Sequence, residues 1–226
     1  MKLSKSHVLI TGASTGIGKA IAKELIKNGA AVTSFDLEPL TENIEGWESI
    51  PADITDSKQI AYALDKIDKP IDIVINNAGV LHRGNITENS EQEYDSIMDV
   101  NLKGAWLVFT LARSKLSKNA TIVQISSRHG FNLSMDPALY AISKNALMDL
   151  GSIIAKTFPN YSVKTINPGS IDTKLARQDV PPEELENKIK TMKSPEELAI
   201  KVIELLESDS MHNLVFDDET RKYRLE

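Results

Sequence analysis

Short apolar runs rich in β-branched residues alternate along this chain with longer stretches of helical spacing, and that alternation restricts the fold more than any other feature. The runs are His7 to Ile10, Ala31 to Phe35, Ile71 to Ile75, Thr121 to Ile125 and Ser162 to Ile166. Each is too short for a globular helix and reads as a strand buried on both faces. The spacing predicts helices over Ile17 to Asn28, Ser57 to Ile67, Glu91 to Ser117, Ala138 to Phe158 and Pro195 to Glu207. Strands separated by helices pair in parallel through right-handed crossovers, which gives an α/β fold, a doubly wound parallel sheet with helices on both faces. Two weaker runs, Glu48 to Ile50 and Asn213 to Phe216, bring the expected sheet to about seven strands.

Local signals mark where the helices begin and end. Asn28-Gly29 closes the first with a residue tolerant of left-handed geometry, and Ser194-Pro195-Glu196-Glu197 supplies an N-cap, an N1 proline and an N3 carboxylate. Only 17 residues separate Phe35 from Asp53, with Pro39 and Gly46 among them, so the second crossover helix is very short or absent. At 226 residues and 41% hydrophobic side chains the chain suits one core, and 1–226 reads as a single domain. The charged tail, Asp217 to Glu226, reads as a segment that frays or covers a neighbour.

Composition excludes several functions. With 32 acidic against 26 basic residues and a net charge of -6, the chain lacks the basic surface that tracks a phosphate backbone, so no nucleic-acid partner is expected. No cysteine is present, which removes disulfides, thiolate zinc sites, iron–sulfur clusters and thiol nucleophiles, and the four histidines are scattered, so no metal is expected. The same lack of cysteine fits a reducing cytoplasm. Met1 to Ile10 holds too short an apolar run for a signal peptide, and no stretch approaches a membrane span.

The first strand runs into Thr11-Gly12-Ala13-Ser14-Thr15-Gly16-Ile17-Gly18 at the start of a helix. Glycines there let the backbone approach a pyrophosphate, whose charge sits at the positive helix N-terminus. The bland alternative is tight strand-to-helix packing with no ligand. Asp36, 18 residues beyond Gly18 and directly after the second strand, argues for the ligand. A carboxylate there accepts from both adenosine ribose hydroxyls and repels a 2′-phosphate, which favours NAD(H) over NADP(H). Neither Thr15 nor Leu37 offers the positive charge that a 2′-phosphate needs.

That glycine spacing, Asn76-Asn77-Ala78-Gly79 after a later strand, and Tyr140-Ala141-Ile142-Ser143-Lys144 together resemble the short-chain dehydrogenase/reductase family over most of the chain. The resemblance implies a Rossmann-type domain and assigns residues. The family's catalytic serine lies 13 residues before its tyrosine, which is Ser127, and its active-site asparagine matches Asn101, which by resemblance steadies a proton-relay water for Lys144. Pro168-Gly169 with Ile171 and Thr173 resembles the segment that contacts the nicotinamide carboxamide, and Asp53-Ile54 the pair that meets the adenine. Gly12, Ser14, Thr15, Gly16, Ile17 and Gly18 then hold the pyrophosphate, and Asn77, Ala78 and Gly79 approach a ribose.

Elementary chemistry gives the tetrad its roles. Tyr140 and Lys144, four apart on a helix, share a face, so the ammonium is expected to lower the phenol by about one to three units and make Tyr140 an acid/base near neutrality. Ser127 hydrogen-bonds the substrate oxygen beside it. The alternatives are a surface pair for Tyr140 and Lys144, a strand-end cap for Ser127, a helix-turn hydrogen bonder for Asn101 and a turn-capping role for Asp53.

The substrate side is read from position. Lys174 to Lys193 is a short lid, and His82, Arg83, Arg128, His129, Met135, Pro137, Ser170 and Leu175 face the pocket. Ser127, His129, Tyr140 and Ser170 are the substrate candidates, with Arg128 and His129 able to bind a substrate carboxylate or phosphate; the alternative pairs Arg128 with a nearby Asp or Glu and makes His129 a satisfied loop residue. A homodimer or homotetramer is expected, the dimer through the two long helices carrying Gly104, Ala105, Leu111, Ala112, Ala146 and Gly151. The expected activity is hydride transfer between NAD(H) and a small secondary alcohol or ketone. An NADP-linked carbonyl or 3-oxoacyl reductase and a non-catalytic NAD(H)-binding sensor or scaffold stay open beside it.

Overall fold

The computed structural model describes residues 3–226 apart from positions 39 and 179. Seven parallel strands and one antiparallel strand form a single sheet of order β3-β2-β1-β4-β5-β6-β7-β8. The strands are β1 (His7–Thr11), β2 (Ala31–Asp36), β3 (Trp47–Pro51), β4 (Ile71–Asn76), β5 (Leu116–Ile125), β6 (Ser162–Asn167), β7 (Asn213–Asp217) and β8 (Lys222–Leu225). The order reverses between β1 and β4, so a crevice opens at their carboxyl ends, where ligands bind in open α/β sheets.

Helices cover both faces. On one, α1 (Gly16–Lys27) and α9 (Pro195–Glu207) bury Ile21, Leu25, Leu198, Val202 and Leu205 against Val8, Ile10, Ile75 and Val123. On the other, α2 (Ser57–Asp65), α4 (Ala105–Ala112) and α6 (Ala138–Thr157) set Ile60, Leu64, Val108 and Ile154 against Leu9, Val74 and Ile122. Each such aliphatic side chain contributes about 2 kcal/mol by burial. Side chains apolar in both directions along β1, β4 and β5 are what this two-faced packing requires. The caps act as their residue types dictate: Ser194 Oγ accepts from Glu197 N at 3.0 Å behind the N1 proline, and Gly29 takes φ +83 just beyond α1.

Several expectations need correction. The helix anticipated over Glu91 to Ser117 is α3 (Glu91–Met98), a π-helical turn (Asp99–Gly104), α4 and a 3-10 turn (Arg113–Lys115); Leu116 and Ser117 already belong to β5. Leu116 pairs with Ile71, and five residues of β5 span the length of two in β4, a bulge that carries exposed Lys118 and Asn119. The tail adds an eighth strand to the seven that the apolar runs marked: β8 pairs antiparallel with β7, and Tyr223 meets Phe216 edge-on with ring centroids 5.2 Å apart. The segment 174–193, expected to be a lid, carries helices α7 (Lys174–Arg177) and α8 (Pro182–Thr191), and α5 (Arg128–Asn132) follows β5. Among the described residues no helix stands between β2 and β3, as the short connection implied; Pro39 lies outside them. No helix among them is long and apolar enough to cross a membrane.

Candidate active site

The glycine turn is built against the end of β4. Gly12 adopts φ +67, and a Cβ on it would lie 2.9 Å from Ala78 Cα. A Cβ on Gly18 would fall 2.3 Å from Gly12 O and 2.5 Å from Asn77 Nδ2, so the first turn of α1 seats on the strand only without one. The Asn77 amide donates to Thr11 O and Gly12 O at 2.9 and 2.7 Å, while Thr11 Oγ1 accepts from Asn77 N and Ala78 N. Thr173 approaches the turn from the other side, its Cγ2 3.2 Å from where a Gly16 Cβ would stand. Thr15, the N-cap of α1, makes no side-chain cap bond, and Ile17 packs half-buried on the core below it.

Asp36 sits at the tip of β2, 3% exposed. Its Oδ1 accepts from Ser14 N at 2.8 Å, and its Oδ2 is buried with no partner among the described residues. An ionised carboxylate oxygen left without a donor is unfavourable unless a ligand supplies one. The cradle that a Cβ would fill and this orphaned acceptor fit the pyrophosphate and ribose of a dinucleotide. Asp53 caps a turn with Oδ1, which accepts from Thr55 N and Thr55 Oγ1 at 2.8 Å each. Ile54 is buried against Gly104, whose Cβ would stand 2.7 Å from Ile54 Cδ1.

The tetrad converges where β4, β5 and α6 meet. Asn101 lies in the π turn: its Oδ1 accepts from Val80 N at 2.8 Å, and its Nδ2 donates to Val80 O and Ser143 Oγ at 3.0 Å each. Both amide hydrogens are thereby used, and Asn101 locks the loop after Gly79 to α6. Ser143 passes the link to Tyr140, donating to its carbonyl at 2.8 Å. Lys144 Nζ donates to Ile125 O at 2.9 Å and stands 3.2 Å from where a Gly79 Cβ would be. Ser127, two residues beyond the end of β5, is the N-cap of α5, its Oγ accepting from His129 N at 3.1 Å.

The electrostatics of the pair correct the expected lowering of the phenol. Burial pushes Tyr140 up to about 12, and the hydrogen-bonding Ser127 hydroxyl only partly opposes it. Burial also brings Lys144 from 10.5 down to about 8. The ammonium lies 5.8 Å from the Tyr140 ring centroid. Desolvation, which penalises both charged forms, outweighs their mutual attraction here.

On the substrate side, Arg128 turns away to an ion pair with Asp218 of the β7–β8 turn. His129 Nδ1 lies 2.9 Å from Ser134 Oγ, and its ring packs edge-on to Tyr140 with centroids 6.3 Å apart. Burial, then the charges of Arg128 and Arg83, hold its imidazole below the usual range. Arg128 is thus paired with an acidic residue and His129 is satisfied within its loop, which is the alternative to a substrate anion contact. His82 faces Glu93 across 3.7 Å, and Met135 projects into solvent. Ser170 O accepts from Lys193 N at 3.0 Å, and Pro168 O accepts from Arg128 N at 3.0 Å. A Gly169 Cβ would lie 2.4 Å from Phe216 Cδ1. Gly104, Ala105, Ala112 and Gly151, expected on a dimer face, are buried inside; Leu111 and Ala146 are half-buried, and the exposed apolar residues of these helices are Tyr94, Trp106, Ile142 and Ile153. Sequence reasoning passed over Ser143 and Gln178; one turn after Tyr140, Ser143 had a legible helical position.

Residues 6–184 match the model of the short chain dehydrogenase family. An uncharacterized oxidoreductase of Thermotoga maritima is 32% identical over 216 residues, covering 89% of this chain and 82% of its own. The 3-oxoacyl-[acyl-carrier-protein] reductase FabG of the same organism is 30% identical over 194 residues, with 79% of each chain covered. Aldohexose dehydrogenase of Thermoplasma acidophilum, in its ligand-free structure, has a TM-score of 0.81 at 30% identity, over 89% of this chain and 86% of that one. The chain belongs to the short-chain dehydrogenase/reductase family, an oxidoreductase on a Rossmann-type fold with the NAD(P)(H) cofactor typical of that family.

Proposed function

We propose that this chain transfers a hydride between NAD(H) and a small secondary alcohol or ketone, with Tyr140 as the acid/base. The observation that carries the reading is the buried linkage of Ser127, Tyr140, Lys144 and Asn101 at the sheet edge that also bears the glycine turn. When bound, the nicotinamide supplies or accepts the hydride, and its oxidised ring adds positive charge. Gly12 to Gly18 hold the pyrophosphate, Asp36 Oδ2 the adenosine ribose, and Asp53 and Ile54 the adenine. Asn77, Ala78 and Gly79, with Pro168, Gly169, Ile171 and Thr173, line the nicotinamide half. The unpartnered Asp36 oxygen supports NAD(H) over NADP(H), because a 2′-phosphate there meets a negative charge.

Tyr140, neutral up to about pH 12, is a proton donor in this state. It gives its proton to a ketone oxygen as that oxygen gains charge, while Ser127 Oγ hydrogen-bonds the same oxygen and fixes the carbon beneath it. Lys144, protonated below about pH 8, supplies the positive charge that makes the phenolate tolerable afterwards. Asn101 acts as a positioning residue by holding the Val80 loop and, through Ser143, the Tyr140 turn. His129 and Ser170 border the substrate, and the helical segment 174–193 is its lid over one domain.

The test is Tyr140→Phe with NADH and NADPH titrated by fluorescence. Turnover of ketones by the wild type falls by about a thousandfold in the variant, while NADH binding persists and exceeds NADPH binding. A variant as active as the wild type refutes the role of Tyr140, and NADH binding by a wild type that turns over no ketone leaves the NAD(H)-binding sensor or scaffold. An NADPH preference replaces this reading with the second one, an NADP-linked carbonyl or 3-oxoacyl reductase, which the likeness to FabG favours. Self-association through the α3, α4 and α6 face completes the proposal. A hollow of about 370 Å³ lined by Met98, Leu102, Trp106 and Leu150 lies on that face, and Trp106→Glu is expected to turn a dimer into a monomer in sedimentation.

A further inference from the structure

The connection between β5 and α6 sets an imidazole beside the reacting phenol, and only one of its two nitrogens is used. His129 N donates to Ser127 Oγ at 3.1 Å, and its ring stands edge-on to Tyr140 with centroids 6.3 Å apart. Ser127 itself hydrogen-bonds Tyr140. The three residues therefore surround one point, where the two hydroxyls meet a substrate oxygen. Position 129 is fixed from α6. A Cβ on Gly130 would lie 2.7 Å from Asn145 N, and Asn145 Nδ2 donates to Gly130 O at 3.2 Å, so α5 seats directly on that helix.

The loop holds the imidazole by Nδ1, 2.9 Å from Ser134 Oγ, while Ser134 N donates to His129 O at 3.0 Å. Nε2, on the other side of the ring, has no hydrogen-bond partner among the described residues and is not sealed in the core. Ser134 can donate to Nδ1, which leaves Nε2 a donor, or accept from it, which leaves Nε2 an acceptor. A substrate hydroxyl serves either tautomer, whereas a carboxylate serves only one. Burial, then the charges of Arg128 and Arg83, hold the imidazole below its usual range and so neutral at pH 7. Asp136 and Asp218 oppose those two cations, so no surplus of positive charge at the ring selects an anion. Rings this close leave Nε2 within reach of an oxygen on the carbon next to the carbonyl.

We propose that His129 Nε2 hydrogen-bonds a hydroxyl on the carbon next to the substrate's carbonyl, so that the chain reduces α-hydroxyketones, and oxidises the matching vicinal diols, in preference to plain ketones and alcohols. The carbonyl carbon gains the hydride of NADH and the carbonyl oxygen the Tyr140 proton, which yields the diol and NAD+; Tyr140 then recovers a proton from solvent. His129 transfers no proton and acts on specificity alone. The inference rests on the oxidoreductase reading above and assigns its substrate class.

The experiment measures kcat/KM with NADH for two matched pairs, hydroxyacetone against butan-2-one and 1-hydroxybutan-2-one against pentan-3-one, in the wild type and three variants. His129→Phe keeps a ring against Tyr140 without a nitrogen, His129→Asn places an amide where Nδ1 meets Ser134, and His129→Gln places one at the reach of Nε2. The hydroxyl changes the intrinsic reactivity of the ketone equally for every protein, so the hydroxyketone-to-ketone ratio reports the contact. That ratio falls by about tenfold in His129→Phe and His129→Asn and stays within about threefold in His129→Gln. A ratio that survives His129→Phe overturns the proposal. So does one that His129→Asn and His129→Gln keep equally or lose equally, or a wild type that prefers the anionic pyruvate to hydroxyacetone. If none of these ketones is turned over, it is the oxidoreductase reading that has failed on them. Nitrogen NMR of the imidazole in the presence of NADH, assigned by the signal missing in His129→Gln, then judges the site alone. A shift of Nε2 on adding hydroxyacetone but not butan-2-one supports the contact, and no shift, or the same shift with both, refutes it.

Discussion

Replacing Lys144 with methionine is expected to make the fold more stable at neutral pH while removing its chemistry. The ammonium is 3% exposed, and burial lowers it from 10.5 to about 8. Between those two values the unfolded chain holds a proton that the folded chain does not, so wild-type stability rises as pH climbs from about 8 toward 10.5, and the full penalty is present below 8. At pH 7 that penalty is about 3 kcal/mol, at pH 9 about 2 kcal/mol, and at pH 10 under about 1 kcal/mol. Methionine keeps most of the aliphatic volume and carries no charge, but it forfeits the bond to Ile125 O, a loss of about 1 kcal/mol. The net expectation is a gain of about 2 kcal/mol at pH 7, or about 4–8 °C in Tm for a chain of this size, that vanishes near pH 10. Urea unfolding of both proteins at fixed concentration from pH 6 to 10 measures it. Tyr140, raised by burial from 10.0 to about 12, lowers the stability of both proteins alike from about pH 10 upward and so cancels in their difference. A variant less stable at pH 7, or a difference constant from pH 7 to 10, refutes the claim that burial sets the charge of Lys144.

Two further expectations concern backbone approach. Gly18→Ala drives a Cβ to 2.3 Å from Gly12 O and displaces the Asn77 amide, so it is expected to lower stability by about 3 kcal/mol, read as a lower urea midpoint, and to weaken NADH binding with it. Gly169→Ala meets the Phe216 ring at 2.4 Å and is expected to lose about 2 kcal/mol, whereas in a Phe216→Ala background the same change is nearly neutral; a double-mutant cycle without coupling rejects that contact.

What could be read from the residues was whatever local chemistry decides. The glycine turn, the capped start of α9 and the apolar runs of β1, β4 and β6 lie where their patterns put them, because a strand buried on both faces and a serine–proline helix start need no distant partner to be recognised. Long-range pairing decided the rest. Arg-Ser-Lys-Leu-Ser continues a helical composition, and only the register with Ile71 turns Leu116 into a strand. Lys-Tyr-Arg-Leu alternates as an edge strand should, but the charged run before it hides that Tyr223 has Phe216 to stack on. In the site, the spacing of Tyr140 and Lys144 was legible and the sign of the phenol's shift was not, since that depends on how deeply α6 is buried. That Arg128 pairs with an acidic residue was one of the two readings open for it, but which one was hidden, since its counter-ion Asp218 stands 90 positions away in the chain.

The ribbon formed by β7 and β8 reaches into three places at once. Asp218 holds Arg128 beside Ser127, Arg221 donates to Thr191 O at the end of the lid helix, and Phe216 lies on Gly169. Lys222 and Arg224 on the outer strand are charged and exposed, which discourages another sheet from docking on that border. The loop after β5, the segment after β6 and helix α8 are thus all fastened to one two-stranded ribbon at the margin of the sheet. A change anywhere in that ribbon is therefore felt in three segments that lie far apart in the chain.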